Sequence, residues 1–479
     1  MAGVIDVPIV GQSYHLKDWA IDCQRTLNLY PQVVESGNTP QVSALLPTPG
    51  LLKKHEFHIY EPESENPDKL AGRIRGLYAL ADRLLVVAGQ KLYSVNKSDE
   101  IKEIGEVTGV NQVYFADNSI QVMIVSNNTY SYTIKSNALV EIKGSEFFGA
   151  SDVTFLDSRF IWVVPKSGKI QWSGLLDTKT TALSFATAEY KSDDLVRVVA
   201  NNGQLWLIGE KTTEIWGSTG DKDLPFARMS GAFISVGCVA KNSICQFGGD
   251  LVWLTKTDLG QGQIVMTQGY QAQRISNHAI ESEINSYSNI SDAYSFAYQD
   301  DGHAFYVISF PTDKKTWCYD STTNMWHERS FYNPKTYLHE HHRASVHCFF
   351  NGMQLVGDRQ SGKIYQLTHK SQTDDGQTIM RERVTPVVNP HGLKLIFDEL
   401  EIKLQAGQDD NSNPLLMLDW SDDNGRTWST SRQESIGAVG EYKKRVIFRR
   451  LGQSLGRVFR LRMTDAARLV LLGAKVKVR

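Results

Sequence analysis

The chain has 479 residues, 41% apolar and 22% charged, and its 51 Lys and Arg nearly cancel 53 Asp and Glu, leaving a net charge of −2. These are globular proportions, which exclude a disordered chain and, through the near-neutral balance, a strong bulk attraction to nucleic acid or anionic membrane. No apolar run approaches the roughly 18 residues that a spanning helix needs, and the length predicts about two to four domains.

The opening, MAGVIDVPIVGQSYHLKDW, lacks the basic n-region and long apolar core of a secretory leader, so none is expected. Over residues 1–70, Pro31, Pro40, Pro47 and Pro49 and then the acidic stretch EPESENPDK argue against central strands and predict an extended arm and linker. The five cysteines (Cys23, Cys238, Cys245, Cys318 and Cys348) are scattered without a C-x-x-C pair. Reduced, mostly buried thiols and assembly in a cytoplasm are expected.

Helical periodicity is nearly absent downstream, whereas period-two alternation recurs throughout, so the chain is all-β. Over 71–376 one phrase returns: a polar turn, an apolar strand, a short turn, and a strand ending in an anchor. It reads ADRLLVVAGQKLYSV, then DNSIQVMIVSNNTYSYTI, then SRFIWVVPKSGKIQWSG, and continues to NGMQLVGDRQSGKIYQLT. The anchors Tyr93, Tyr132, Trp172, Trp216, Val265, Trp317 and Tyr365 are spaced by about 39 to 52 residues. Sheets that cannot cover both of their own faces stack around an axis, so a central β-propeller of six or seven blades is predicted. Two ordinary β-sandwiches are the competing architecture, but they would not require so regular an interval.

Within this region YLHEHHRASVHC gathers His339, His341, His342, His347 and Cys348. Imidazole suits zinc, and histidines also suit a pH-sensitive interface, but solvated loop histidines are equally consistent with the segment. Gly260 and Gly262 in GQGQ have no following helix, and no P-loop, G-x-S-x-G elbow or H-E-x-x-H helix is present. No catalytic, cofactor-binding or metal residue is assigned.

Residues 377–479 read as a second all-β module, a compact β-sandwich. From Glu441 to the end, twelve Lys and Arg face two acids. Alternation puts Arg445 and Arg449 on one side of KKRVIFRRL, and Arg460 and Arg462 on one side of GRVFRLRM. If the two strands are neighbours, four guanidinium groups line one sheet face. Local acids, an acidic protein partner or duplex phosphate would then face them.

Ser421–Trp428, SDDNGRTW, fits S-x-D-x-G-x-T-W and resembles the Asp-box hairpins of sialidases and related propellers. Ser421, Asp423, Gly425 and Trp428 all have structural work in such a hairpin: Gly425 takes positive φ, Asp423 ties the turn, and Trp428 packs at its base. One box, with no arginine triad and no F/Y-R-I-P motif, makes a glycosidase the remote reading, and a single sequence does not locate the two carboxylates it would need.

The C-terminal run with this hairpin, Gly440, Tyr442 and Arg445, RRLG at Arg449–Gly452 and RVF at Arg457–Phe459 resembles the packaged-DNA stabilisation proteins of short-tailed phages, also called tail accessory or tail hub proteins. CQRTLNLYPQVVE…LLPTPGL, from Cys23 to Leu51, is similar to that family's opening. The resemblance implies a virion tail protein assembled in the host cytoplasm, a homohexamer in a ring below the portal and adaptor. Such a ring closes the DNA channel after packaging and carries tail fibres or tailspikes and a central needle or plug. Duplex DNA would pass without sequence-specific binding, no cofactor is implied, and no enzyme activity is expected. A carbohydrate- or receptor-binding propeller is the alternative. Trp19, Leu29 and Tyr30 are candidate docking residues of the arm, because large aromatics anchor interfaces; packing of Trp19 and Tyr30 on the chain's own C-terminal module is the competing expectation. Arg445, Arg449, Arg460 and Arg462 are the second candidate interface.

Overall fold

The fold is that of a computed structural model describing residues 3–16, 22–34, 43–60, 68–188, 191, 193–389, 393–408 and 413–479. Among the described residues, seven four-stranded antiparallel blades follow one another, five as separate sheets and the last two within a ten-stranded and a six-stranded sheet. Their innermost strands are Ile74–Ala79, Tyr114–Asp117, Asp152–Leu156, Leu195–Asn201, Cys245–Phe247, Tyr294–Asp300 and Ala344–Phe350. We number these blades 1 to 7. The expectation of six or seven blades resolves to seven.

Each sequence anchor sits on the third strand of its blade. The reason is packing between blades. Tyr132 lies with blade 1 residues Leu85 and Val87, Trp172 with blade 4 residues Leu205 and Leu207, and Tyr365 with blade 6 residues Phe305 and Val307. A separate buried cluster fills every junction, including blade 7 against blade 1 through Ile364 and Leu84, so the circle is closed. Each cluster removes apolar surface that a lone blade would leave wet.

Closure depends on the chain's beginning. Blade 7 takes its fourth strand from Gly50–Glu56, antiparallel to Lys363–Thr368. The arm therefore completes the last blade, a point the sequence had left open.

The rest of the arm is woven into the C-terminal module. One sheet of the sandwich comprises Leu29–Val33, Ser43–Pro47, Leu471–Val478, Leu395–Leu404 and Val446–Ser454, with Gly3–Val7 also paired to the C-terminal strand. The other contains Arg381–Val384, Val458–Met463, Leu415–Ser421 and Arg432–Ser435. Phe397, Leu400, Phe448, Phe459, Leu461 and Met463 fill the space between them. Cys23–Leu27 lies between Arg381–Val384 and blade 6 strand Met325–Arg329, so a single ten-stranded sheet runs from propeller into sandwich. Asn28, at φ 53, turns the arm out of that sheet and into the other; asparagine tolerates this left-handed conformation better than most residues.

One α-helix occurs among the described residues, His278–Ile284, capped by the Asn277 side chain accepting the Ile280 N–H. It buries Ile280 and Ile284 between blades 5 and 6.

Candidate functional site

The arm strand Cys23–Leu27 places Arg25 at the junction of propeller and sandwich. Its Nε and Nη2 donate to the two carboxylate oxygens of Glu328 on blade 6, at 2.7 and 2.9 Å, and its Nη1 donates to Glu382 on the sandwich at 3.0 Å. Lys315 adds a second cation to Glu328 at 3.2 Å. Burial alone would raise the Glu328 pKa, but Arg25 and Lys315 outweigh it and hold the carboxyl far below its usual range. A cleft of about 270 Å³ opens here, with Arg25, Glu328, Lys315, Trp317, Trp428 and Arg460 in its wall.

The Asp-box hairpin stands at the edge of this cleft. Ser421 Oγ donates to Asp423 Oδ1 and accepts the Gly425 N–H, both at 2.7 Å. Asp423 accepts the Thr427 N–H at 2.8 Å and the Thr427 hydroxyl at 2.6 Å. The Ser421 and Thr427 bonds keep its carboxyl well below the ordinary range. Asn424 and Gly425 turn the tip with φ of 61° and 93°. Trp428 packs against Cys23, Val384 and Val458. The side chains of Ser421, Asp423 and Thr427 are thus engaged in building the turn.

The four arginines do not share a face. Arg445 and Arg449 accompany Val446–Ser454 in one sheet of the sandwich, whereas Arg460 and Arg462 lie on Val458–Met463 in the other. Because Phe448, Phe459 and Leu461 point into the shared core, the two pairs leave on opposite outer faces. Arg445 is bidentate to Glu401 at 2.7 and 2.9 Å, and Arg449 is 3.6 Å from Glu399. Arg460 and Arg462 share the buried Asp419 at 2.8 and 2.6 Å, and the Arg460 guanidinium lies 4.0 Å from the Trp428 ring centroid. The expected single basic face is therefore corrected to two separate sets of ion pairs.

Leu29 and Tyr30 are also corrected: both are buried, at 0% and 1% exposure, and offer no outer surface. Alternation along Leu29–Val33 sends Leu29 into the sandwich core and Tyr30 between blades 6 and 7, where its ring is T-shaped to Phe305 at 5.3 Å. They anchor the arm to its own chain. Trp19 lies outside the described residues.

The histidine segment is dispersed. His339 meets Ser330 Oγ at 2.8 Å, His347 meets Gln354 Oε1 at 2.7 Å, and His342 Nδ1 accepts the Ala344 N–H at 3.3 Å. Burial pushes His341 and His342 down to about 3 and His347 to about 4, so all three are neutral at physiological pH. Among the described residues the one cluster with metal-ligand spacing is elsewhere, Asp300, Asp301 and His369, where His369 pairs with Asp300 at 3.1 Å.

Side chains from the inner strands of several blades meet one another. Tyr114 from blade 2 bonds to Asn242, in the turn entering blade 5. Lys241 and Arg197 lie 4.4 and 5.0 Å from the Tyr114 ring centroid, and Arg197 is held by Asp152 of blade 3 at 3.0 Å. Burial pushes Lys241 down to about 8.

Sequence reasoning missed a set of buried arginines. Arg383 donates to the Ile9 carbonyl at 2.6 Å, Gln24 Oε1 at 2.7 Å and Thr26 Oγ1 at 2.9 Å, gripping the arm. Arg457 is bidentate to Asp422 at 2.7 and 2.9 Å. No sequence signal marks them, since alternating Arg in RERV looks like a solvent face.

Residues 26–372 match the family described as Bacteriophage P22 Gp10, beta-propeller, and residues 380–479 match Bacteriophage P22 Gp10, beta-sandwich. No curated protein matches the chain. Among solved structures, one titled Crystal Structure of Mitotic Checkpoint Complex is 11% identical, covering 76% of this chain and 94% of that one, with a TM-score of 0.37. BamB from Moraxella catarrhalis is 9% identical, covering 67% and 98%, with a TM-score of 0.38. At those scores neither likeness informs fold or function.

Proposed function

The chain belongs to the bacteriophage P22 Gp10 family of packaged-DNA stabilisation proteins, structural components of the phage tail, and from that premise we propose that it forms a ring below the portal and adaptor which closes the DNA channel and retains the packaged genome. In this reading residues 1–70 are the arm, 71–376 the propeller and 377–479 the sandwich. Six copies close the ring through heterologous contacts, and their outer loops carry tail fibres or spikes and a central plug. Assembly takes place in the host cytoplasm.

The observation that carries the proposal is the continuous sheet through Cys23–Leu27, with Arg25 tied to both Glu328 and Glu382. A part that holds back packaged DNA has to resist force between its domains, and this joint is made of backbone pairing and buried ion pairs. Tyr114, Asn242, Lys241 and Arg197 contact one another from different blades, which supports a DNA path between copies over one through each propeller.

The protein works without a reactive centre in this account. Among the described acids, the carboxyl that burial lifts, Asp374 to about 7, is 2% exposed beside Leu51 and does not line the cleft at Arg25. A glycosidase needs its raised acid across a substrate groove from a second carboxylate.

Particles assembled without this chain test the proposal. They should package DNA and then lose it, leaving the genome open to added nuclease. Filled, nuclease-resistant heads without the protein would contradict it.

A further inference from the structure

The seven blades close into a circle, and the sandwich is attached on one side of it. Cys23–Leu27 joins it to blade 6, and the arm passes from Ser43–Pro47 in the sandwich to Gly50–Glu56 in blade 7. Blade 3 is three steps from either, so the rim of blades 3 and 4 lies across the circle from the sandwich. That rim is apolar: Leu183, Leu175, Leu176 and Leu224 are 87%, 65%, 51% and 48% exposed. They belong to one patch. The Leu176 N–H donates to the Ser158 carbonyl, and the adjoining Arg159 donates through Nη2 to the Lys222 carbonyl of blade 4. Phe185 lies edge-on to Phe148 at 6.0 Å. Contiguous exposed apolar surface of this kind marks an interaction site, whereas single scattered residues do not.

A groove runs through the patch. The outer strand of blade 3, Phe185–Thr187, has three residues, whereas that of blade 4, Phe226–Ile234, has nine. The short strand leaves a hollow of about 630 Å³, walled by Phe185, Trp216, Leu224 and Phe226. Beyond Thr187, which borders both, a second hollow of about 290 Å³ is walled by Asp193, Asp194, Glu210 and Lys211. Asp194 and Glu210 are exposed, and neither is in an ion pair among the described residues. The groove is thus apolar at one end and acidic at the other.

The sandwich carries the matching order. Between Arg432–Ser435 and Val446–Ser454, the turn over residues 437–445 presents Val439 and Tyr442 to solvent, followed by Lys443 and Lys444. Both lysines are exposed and outside any ion pair among the described residues. The turn holds its own shape: the Glu441 and Lys444 N–H groups donate to the Ala438 and Glu441 carbonyls, and Glu441 Oε2 accepts the Ala438 N–H at 3.0 Å. A preformed turn loses little conformational freedom on docking. We propose that residues 437–445 of one copy seat in the groove of the next, Val439 and Tyr442 against Phe185 and Leu224, Lys443 and Lys444 toward Asp194 and Glu210. This rests on the ring reading above and deepens it by naming the two surfaces. Because they lie on opposite sides of the circle, each copy receives one neighbour and enters another, the head-to-tail arrangement that closes by rotation.

Assembled particles carrying Leu224→Cys and Val439→Cys in one chain, treated with a short bis-maleimide, test it. A ladder of linked copies is expected, absent from the native chain and from either single variant, and a mixture of the two single variants should stop at dimers. Tails that show the ring by electron microscopy but yield no ladder overturn the inference and leave the ring reading standing; tails without a ring remove both. Links formed by Val439→Cys alone would mark a two-fold contact and also overturn it. Independently, Lys443→Glu with Lys444→Glu should lower copies per particle about tenfold or more at an unchanged unfolding midpoint, because like charges then face one another. Adding Asp194→Lys and Glu210→Lys should restore incorporation. Full incorporation of the lysine variant, or no restoration, overturns the pairing, and this series decides alone if the cysteine variants fail to assemble.

Discussion

Replacing Arg25 by methionine would leave Glu382 without its cation and Glu328 with Lys315 alone, and their side chains are 7% and 4% exposed. Breaking a buried ion pair from one side costs roughly 3 kcal/mol or more, because the remaining charge stays desolvated. Arg25→Met should therefore lower the denaturant midpoint by about that free energy, and a change within error would show that the joint is not electrostatic. The exposed pairs Arg445–Glu401 and Arg449–Glu399 behave differently, since solvent screens such surface bridges and they add little to stability. Histidines set an acid limit. His341, His342 and His347 are pushed by burial to about 3, 3 and 4, whereas an unfolded histidine protonates near its ordinary 6.5. Between those values the unfolded chain binds more protons, so stability present above pH 6.5 is lost as pH falls toward 4. Asp374, lifted from 3.8 to about 7, works in the opposite direction across this window, one group against three. Denaturation midpoints from pH 7 to pH 4 should fall, and His347→Gln should flatten the slope; an unchanged slope would mean that this ring is not the buried neutral group described.

At the scale of elements, the arm holds the architecture together. Leu29 is fully buried in the sandwich, and Leu29→Ala should cost about 2–5 kcal/mol by calorimetry or denaturant titration. Deletion through Glu56 removes the last blade's fourth strand, three sandwich strands and the joining strand, and should abolish cooperative unfolding. Retention of a sharp transition would show that the propeller closes without it. The propeller was legible in sequence because each blade repeats one buried third strand, and an anchor such as Trp172 or Tyr365 marks it at a near-constant interval. The closing strand was not legible, because Gly50–Glu56 pairs with residues some three hundred positions away and its own pattern carries no address. The arginine face failed for a similar reason. Alternation sorts side chains within a strand, as Phe459 inward and Arg460 outward show, but it does not say which strands are neighbours. Arg381 and Arg383 misled more simply, since a charged stripe reads as solvent-facing until another segment of chain covers it.

For the whole molecule, the arm makes propeller and sandwich a joined platform rather than beads on a linker. Its outward charges are then the groups left to meet other virion parts. The double substitution Arg445→Glu and Arg449→Glu should leave folding near native while weakening incorporation into tails, measured as copies per purified particle. Normal incorporation would remove those residues from the interface. Arg460 and Arg462, held by Asp419, should instead affect stability when reversed. The near-neutral chain would suit the proposed ring around the DNA channel, since a strongly basic wall would retain the DNA. Electron microscopy of the DNA-filled particle tests the central claim most directly. The account predicts six copies in a closed ring below the portal, each propeller axis filled by protein and DNA density passing between the copies. Monomers unattached to a portal, or DNA threading a propeller axis, would contradict it.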